Sequence, residues 1–140
     1  MWVLRPGGSG DISLKAGETK NEFIAWSSTS GSPYTPTPIL YGDLFYALAD
    51  NGVLSAYEAA TGVRIYQQRL PTSFTASPVA ADGKLFLASD DGDVMVVKTG
   101  REFEVLAKNV MGQPLLATPA ITQGMLIVRG ENTIWAVGQK

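Results

Sequence analysis

The feature that most limits how this 140-residue chain can fold is that it writes one pattern three times. "TPILYGDLFYALADNGVLSAY" (37–57), "SPVAADGKLFLASDDGDVMVV" (77–97) and "TPAITQGMLIVRGENTIWAV" (118–137) are the copies. Pro38, Pro78 and Pro119 open them, and Tyr57, Val97 and Val137 close them, at an interval of about 40 residues. A period of that length belongs to architectures in which each unit buries its apolar face only against its neighbours.

Each copy reads as short antiparallel β-strands. After Ser/Thr-Pro come a few apolar residues and a turn at Gly42, Asp82-Gly83 or Gly124. The alternating runs "LFYALA", "KLFLAS" and "MLIVRG" follow, then Asn51-Gly52 or Asp91-Gly92, then "VLSAY", "DVMVV" or "TIWAV". Asn-Gly and Asp-Gly predict two-residue hairpins whose central residues both take positive φ. "VRIYQQRL" (63–70) and "EFEVLAKNV" (102–110) supply fourth strands. Upstream, "WVLRP" (2–6) and "EFIAWSS" (22–28) read as the third and fourth strands of a divergent copy.

The expected fold is all-β, a partial β-propeller of about three to three and a half four-stranded antiparallel blades. An incomplete blade is expected over 1–31, blades over 32–73 and 74–115, and a second incomplete blade over 116–140. Propellers close with about four to eight blades, so the chain is expected to be completed from outside. The remainder of a longer parent could do this, or a second copy forming a homo-oligomeric ring in which a partner donates the strand missing from the last blade.

Composition removes much chemistry. Without cysteine or histidine there is no disulfide, no thiolate or imidazole metal site and no histidine-based triad. Eleven basic residues against 13 acidic ones, with no basic cluster, argue against a nucleic-acid partner. No run of about 18 apolar residues predicts a transmembrane segment, and no address is read in "MWVLRPGGSG".

The remaining candidates have structural readings. "DDGD" (90–93) is the one dense acidic group and calcium favours several oxygen ligands, yet Asp91-Gly92 is already explained as a turn. "RPGGSGD" (5–11) lacks the following helix that a phosphate loop needs. Lys84, Lys98 and Lys108 fall at turns or strand edges, where a solvated charge is ordinary. Trp26 and Trp135 lie within strands and are expected in the core; Tyr34 and Phe74, in the connections before Ser/Thr-Pro, are the candidates for a recognition surface.

"AYEAATGVRIY" (56–66) resembles the tryptophan-docking repeat of pyrroloquinoline-quinone-type (PQQ-like) propellers, A-x-D-x-x-T-G-x-x-x-W. Ala56, Thr61 and Gly62 match, Glu58 stands for the aspartate and Tyr66 for the tryptophan; the next copy, "VVKTGREFEVL", keeps Thr99 and Gly100. The resemblance implies that these residues are a structural docking motif holding blade to blade. Some members of that family are quinone-dependent alcohol or sugar dehydrogenases, with calcium beside the quinone. Others are binding propellers such as the outer-membrane assembly lipoprotein of Gram-negative bacteria.

Similarity to the second group implies a non-enzymatic scaffold or protein-binding segment, without catalytic, cofactor or metal residues, in a periplasmic or outer-membrane-associated parent. The alternatives are the C-terminal part of a quinone- and calcium-dependent dehydrogenase, and a carbohydrate-binding propeller.

Overall fold

The computed structural model describes residues 1–138, all strand, turn and loop among the described residues. The first sheet pairs β1 (Trp2–Leu4) with β2 (Ile24–Ser27). The second is four-stranded: β3 (Ile39–Tyr41), β4 (Leu44–Leu48), β5 (Val53–Glu58) and β6 (Arg64–Arg69), paired in chain order. The third repeats it with β7 (Val79–Ala81), β8 (Lys84–Ala88), β9 (Asp93–Lys98) and β10 (Val105–Val110). The fourth holds β11 (Ala120–Thr122), β12 (Met125–Arg129) and β13 (Ile134–Gly138). All pairings are antiparallel.

The registers superimpose from sheet to sheet. Ile39 faces Tyr46 as Val79 faces Phe86 and Ala120 faces Ile127, so corresponding residues can be compared position by position. These are blades, with neighbouring sheets face to face. The period-2 alternation sends one set of side chains to each neighbour. Leu44, Tyr46, Leu48, Leu54 and Ala56 of the second blade meet Leu85, Leu87, Met95 and Val97 of the third in the largest core cluster. The opposite face of the second blade, with Ala47 and Tyr57, packs on Trp26.

The turns differ from expectation in one respect. Asp82-Gly83 and Gln123-Gly124 both have positive φ at each residue, as a two-residue primed turn demands. At Asn51-Gly52 and Asp91-Gly92 only the glycines do. There the amide of Gly52 donates to Ala49 and that of Ala49 to Val53, so the loop is a tight turn closed by a left-handed glycine. Close approach explains the glycine as well as φ: a β-carbon on Gly52 would lie 2.2 Å from the Thr72 carbonyl oxygen, and one on Gly92 2.5 Å from that of Gln113. The chain leaving each blade is seated against these two positions.

The Ser/Thr-Pro openers run along the inner edge. The amide of Thr37 donates to Ser77 Oγ at 2.9 Å, and that of Ser77 to Thr118 Oγ1 at 3.1 Å, so one hydroxyl per blade accepts from the preceding opener. The strand said to be missing from the last blade is absent among the described residues, but β2 is already engaged with β1. Among the described residues the first sheet holds two strands and the last three.

Candidate functional site: the joints between blades

Three joints between successive blades gather nearly every residue singled out in the sequence. At the first, Trp26 on β2 sits over the Thr61-Gly62 bend. Its Nε1 donates to the carbonyl of Ala59 at 2.7 Å, and its ring stacks on Tyr57 with centroids 5.7 Å apart. Phe45 meets it edge-on, also at 5.7 Å. Gly62 has φ of +74°, and a β-carbon there would fall 2.5–2.8 Å from indole atoms. The bend leaves room for the indole because it has no side chain.

Glu58 and Thr61 hold that bend. The Thr61 hydroxyl donates to Glu58 Oε2 at 3.0 Å and accepts from the amide of Val63. The other carboxylate oxygen of Glu58 accepts from Arg101 of the third blade, which also lies 3.7 Å from Asp43. The hydrogen bond from Arg101, then that from Thr61, holds the Glu58 carboxyl below the usual glutamate range. Glu58 therefore touches both joints.

At the second joint the contacts are phenolic. Tyr41 and Tyr46 accept, through their hydroxyls, the amides of Gly83 at 3.0 Å and Gly100 at 2.8 Å in the next blade. Tyr66 packs edge-on against Phe103, with centroids 5.8 Å apart, and its hydroxyl is buried with no partner among the described residues. Burial pushes its phenol well above the ordinary tyrosine range. Ala56, paired with Tyr66 across β5 and β6, is fully buried beside it. Thr99 and Gly100 form the third blade's bend: the Thr99 amide donates to Gly83 and the Gly100 amide to Tyr46.

The third joint is different. Ala76, Ala88, Val94, Leu115 and Val128 pack its inner part. Beside them a cleft of about 950 Å³ between the third and fourth blades runs from Val94 and Val128 to the turns at Asp82 and Gly124.

The sequence reading missed the most engaged aromatic of the set. It placed Trp26 in the core, where the residue is indeed 6% exposed, but not on the Thr-Gly bend of the following blade. A signal was present: Ala16–Trp26 carries Ala, Glu and Trp at the docking pattern's positions, with Asn21-Glu22 replacing Thr-Gly. Asn21 makes the local turn instead, its Oδ1 accepting from the amides of Phe23 and Ile24.

The two recognition candidates part company. Tyr34 is 95% exposed, whereas Phe74 is 1% exposed in the core between the second and third blades, so its ring presents no surface. The acidic group 90–93 is spread over separate tasks. Asp90 accepts from the Thr75 amide at 2.8 Å and Asp93 pairs with Lys108 at 2.8 Å; no three carboxylates converge on a metal position among the described residues. The three lysines are solvated, as expected at turns and strand edges: Lys98 pairs with Glu104 and Lys108 with Asp93, while Lys84 Nζ donates to the Asp82 carbonyl.

Radially packed four-stranded sheets joined by Thr-Gly bends and aromatic docking define a segment of a PQQ-like β-propeller. A family model described as outer membrane protein assembly factor BamB matches residues 11–103 and 50–140, and the chain belongs to that family. It is similar to the outer membrane protein assembly factor BamB of Burkholderia pseudomallei, 26% identical over 107 residues that make up 74% of this chain and 27% of the relative. The crystal structure of BamB from Moraxella catarrhalis shares the fold with a TM-score of 0.66 at 15% identity, over 77% of this chain and 34% of that one. A computationally designed protein, Ika4, does so with a TM-score of 0.51 at 11% identity, over 76% of this chain and 92% of its own. The chain thus spans about a quarter to a third of the length of these BamB relatives. No helix among the described residues is long and apolar enough to cross a membrane.

Proposed function

We propose that the chain is a non-enzymatic propeller segment, a scaffold and protein-binding surface in outer-membrane protein assembly, working in the periplasm against a Gram-negative outer membrane. The family supports the setting, since the matched relatives are described as assembly factors. The docking residues Ala56, Glu58, Thr61, Gly62, Tyr66, Thr99 and Gly100 serve as architecture in this reading, and no quinone or metal is required.

The observation that carries the binding role is the outer strand of the third blade. Every residue of β10 is exposed, and Val105, Leu106 and Val110 stand 42%, 43% and 77% open. The corresponding strand β6 instead presents Arg64, Gln67, Gln68 and Arg69. Contiguous exposed apolar residues on one blade mark a surface made for a protein partner.

The test places a photo-crosslinking residue at Leu106 or Val110 in the full-length parent within Gram-negative cells. Cross-links to components of the outer-membrane assembly machinery are expected. Their absence, together with dye-linked alcohol oxidation on adding the quinone and calcium, would overturn the proposal in favour of a dehydrogenase.

A further inference from the structure

The cleft at the third joint sits where the second joint is filled by its own tyrosines. Tyr41 pairs with Leu44 as Ala81 pairs with Lys84, so Ala81 holds the place of Tyr41 one blade on. Tyr46 corresponds to Phe86, since Tyr46 faces Ala56 as Phe86 faces Val96. Tyr66 faces Ala56 as Ala107 faces Val96, so Ala107 corresponds to Tyr66. Three phenols have become two methyls and one benzyl ring. The joint has two rings and three phenolic hydroxyls fewer, and a cleft of about 950 Å³ lies beside Ala81 and Phe86.

The acceptors are gone, but the donor's counterpart is still in place. In the second joint the amide of Gly83, in a turn with positive φ at both residues, donates to the Tyr41 hydroxyl. Gly124 occupies the same position in the fourth blade's turn, with the same backbone conformation, and lines the cleft opposite Ala81, which has no hydroxyl to offer. The remaining walls are mostly apolar, with Phe86 and Val96 on one side and Met111 and Met125 among the others, and the polar Asp82, Asn109 and Gln123 also line the cleft. Thioether side chains adapt to an entering ring and make favourable contacts with its edge.

We infer that this cleft is a binding site for a phenolic ring, and specifically for a tyrosine side chain presented by a segment of a partner protein. The ring fills the volume that Tyr41 fills one joint earlier, and its hydroxyl accepts from the Gly124 amide as the Tyr41 hydroxyl accepts from Gly83. The choice of a protein as the source of the phenol rests on the protein-binding reading above; the phenol site itself does not.

The experiment uses the whole chain with its methionine methyls labelled with carbon-13. N-acetyl-Gly-Tyr-Gly amide is titrated, with the Gly-Phe-Gly analogue and p-cresol as separate arms. The tyrosyl peptide should shift the Met111 and Met125 methyl resonances, and the phenylalanyl peptide should bind about fivefold more weakly, the value of one net hydrogen bond. Ala81→Tyr, which supplies the phenol internally, should weaken peptide binding by about tenfold or more, as two rings cannot share the place. Ala81→Leu, which fills the same place without a hydroxyl, makes the same test if the first variant fails to fold.

Unmoved methionine methyls in the unaltered chain would overturn the proposal, as would equal binding of the tyrosyl peptide before and after Ala81→Tyr. Binding of p-cresol without the tyrosyl peptide would assign the cleft to a free phenol and overturn the partner segment. Loss of the cross-links at Leu106 with tyrosyl binding intact would count against the assembly reading alone.

Discussion

Gly62→Ala tests whether the first joint depends on the absence of a side chain. Two costs add at this position. An alanine at φ of +74° leaves its preferred backbone region, at about 1–2 kcal/mol. Its β-carbon would also fall 2.5–2.8 Å from three indole atoms of Trp26, and overpacking of that kind costs about 1–3 kcal/mol more. Trp26 cannot retreat freely, because Nε1 is bonded to Ala59 and one face is stacked on Tyr57. The variant should therefore lose about 2–5 kcal/mol in all. Gly112→Ala is the matched control, with φ of +75° and nothing within 4 Å of the added carbon, so it carries the backbone cost alone. Urea unfolding followed by far-ultraviolet circular dichroism gives both values, and the excess of the first over the second measures the docking contact. In a Trp26→Ala background that excess should vanish, since the ring it collides with is gone. Equal losses for Gly62→Ala and Gly112→Ala would refute the reasoning.

Tyr66→Phe removes a buried hydroxyl that has no partner among the described residues and should stabilise the chain by about 1 kcal/mol, whereas Tyr46→Phe strands the Gly100 amide and should cost about 1–3 kcal/mol; thermal melts separate the two. Phe74→Ala should cost about 3–5 kcal/mol by opening the main core, while Tyr34→Ala, at a ring 95% exposed, should stay within about 0.5 kcal/mol by urea titration. Because folding lowers the Glu58 pKa, the stability it contributes is present above the ordinary value of about 4.3 and is lost as pH falls through the lower folded value. Glu58→Gln should flatten the acid limb of a melting temperature against pH curve between pH 3 and 6, and an unchanged limb would remove Glu58 from the joint's energetics.

The strands were legible because alternation and punctuation agree at every step: Ser/Thr-Pro opens, glycine turns, and apolar runs of fixed length recur at a constant interval. The partners of each face were harder to read. Tyr34 and Phe74 occupy the same place before Ser/Thr-Pro, and Thr35 and Thr75 donate their amides to Asp50 and Asp90 in the same way. What separates them is the preceding blade. The Phe74 amide is bonded to Asp50 of the second blade and its ring enters that blade's core; among the described residues the sheet before Tyr34 holds β1 and β2 alone. Local pattern contains no trace of that difference. Trp26 escaped for a related reason, since its role is set by a bend more than 30 residues further on that touches it only once the blades stack.

Corresponding positions in the three joints show how far the docking chemistry can vary while the blade geometry stays fixed. An indole with one directed hydrogen bond closes the first, three phenols the second, and small aliphatic residues part of the third. Each joint involves only adjacent blades, so a loss of fill at one is not made good by the others; this nearest-neighbour rule governs repeat proteins generally. The register constrains the backbone through strand pairings and inner-edge hydroxyls that recur from blade to blade, and the faces are then free to diverge. In such a molecule a joint that is underfilled yet keeps its backbone donor in position is the place where a foreign side chain can enter without disturbing the rest. That is the physical ground for looking to the third joint, more than to the Thr-Gly bends, for what this segment recognises.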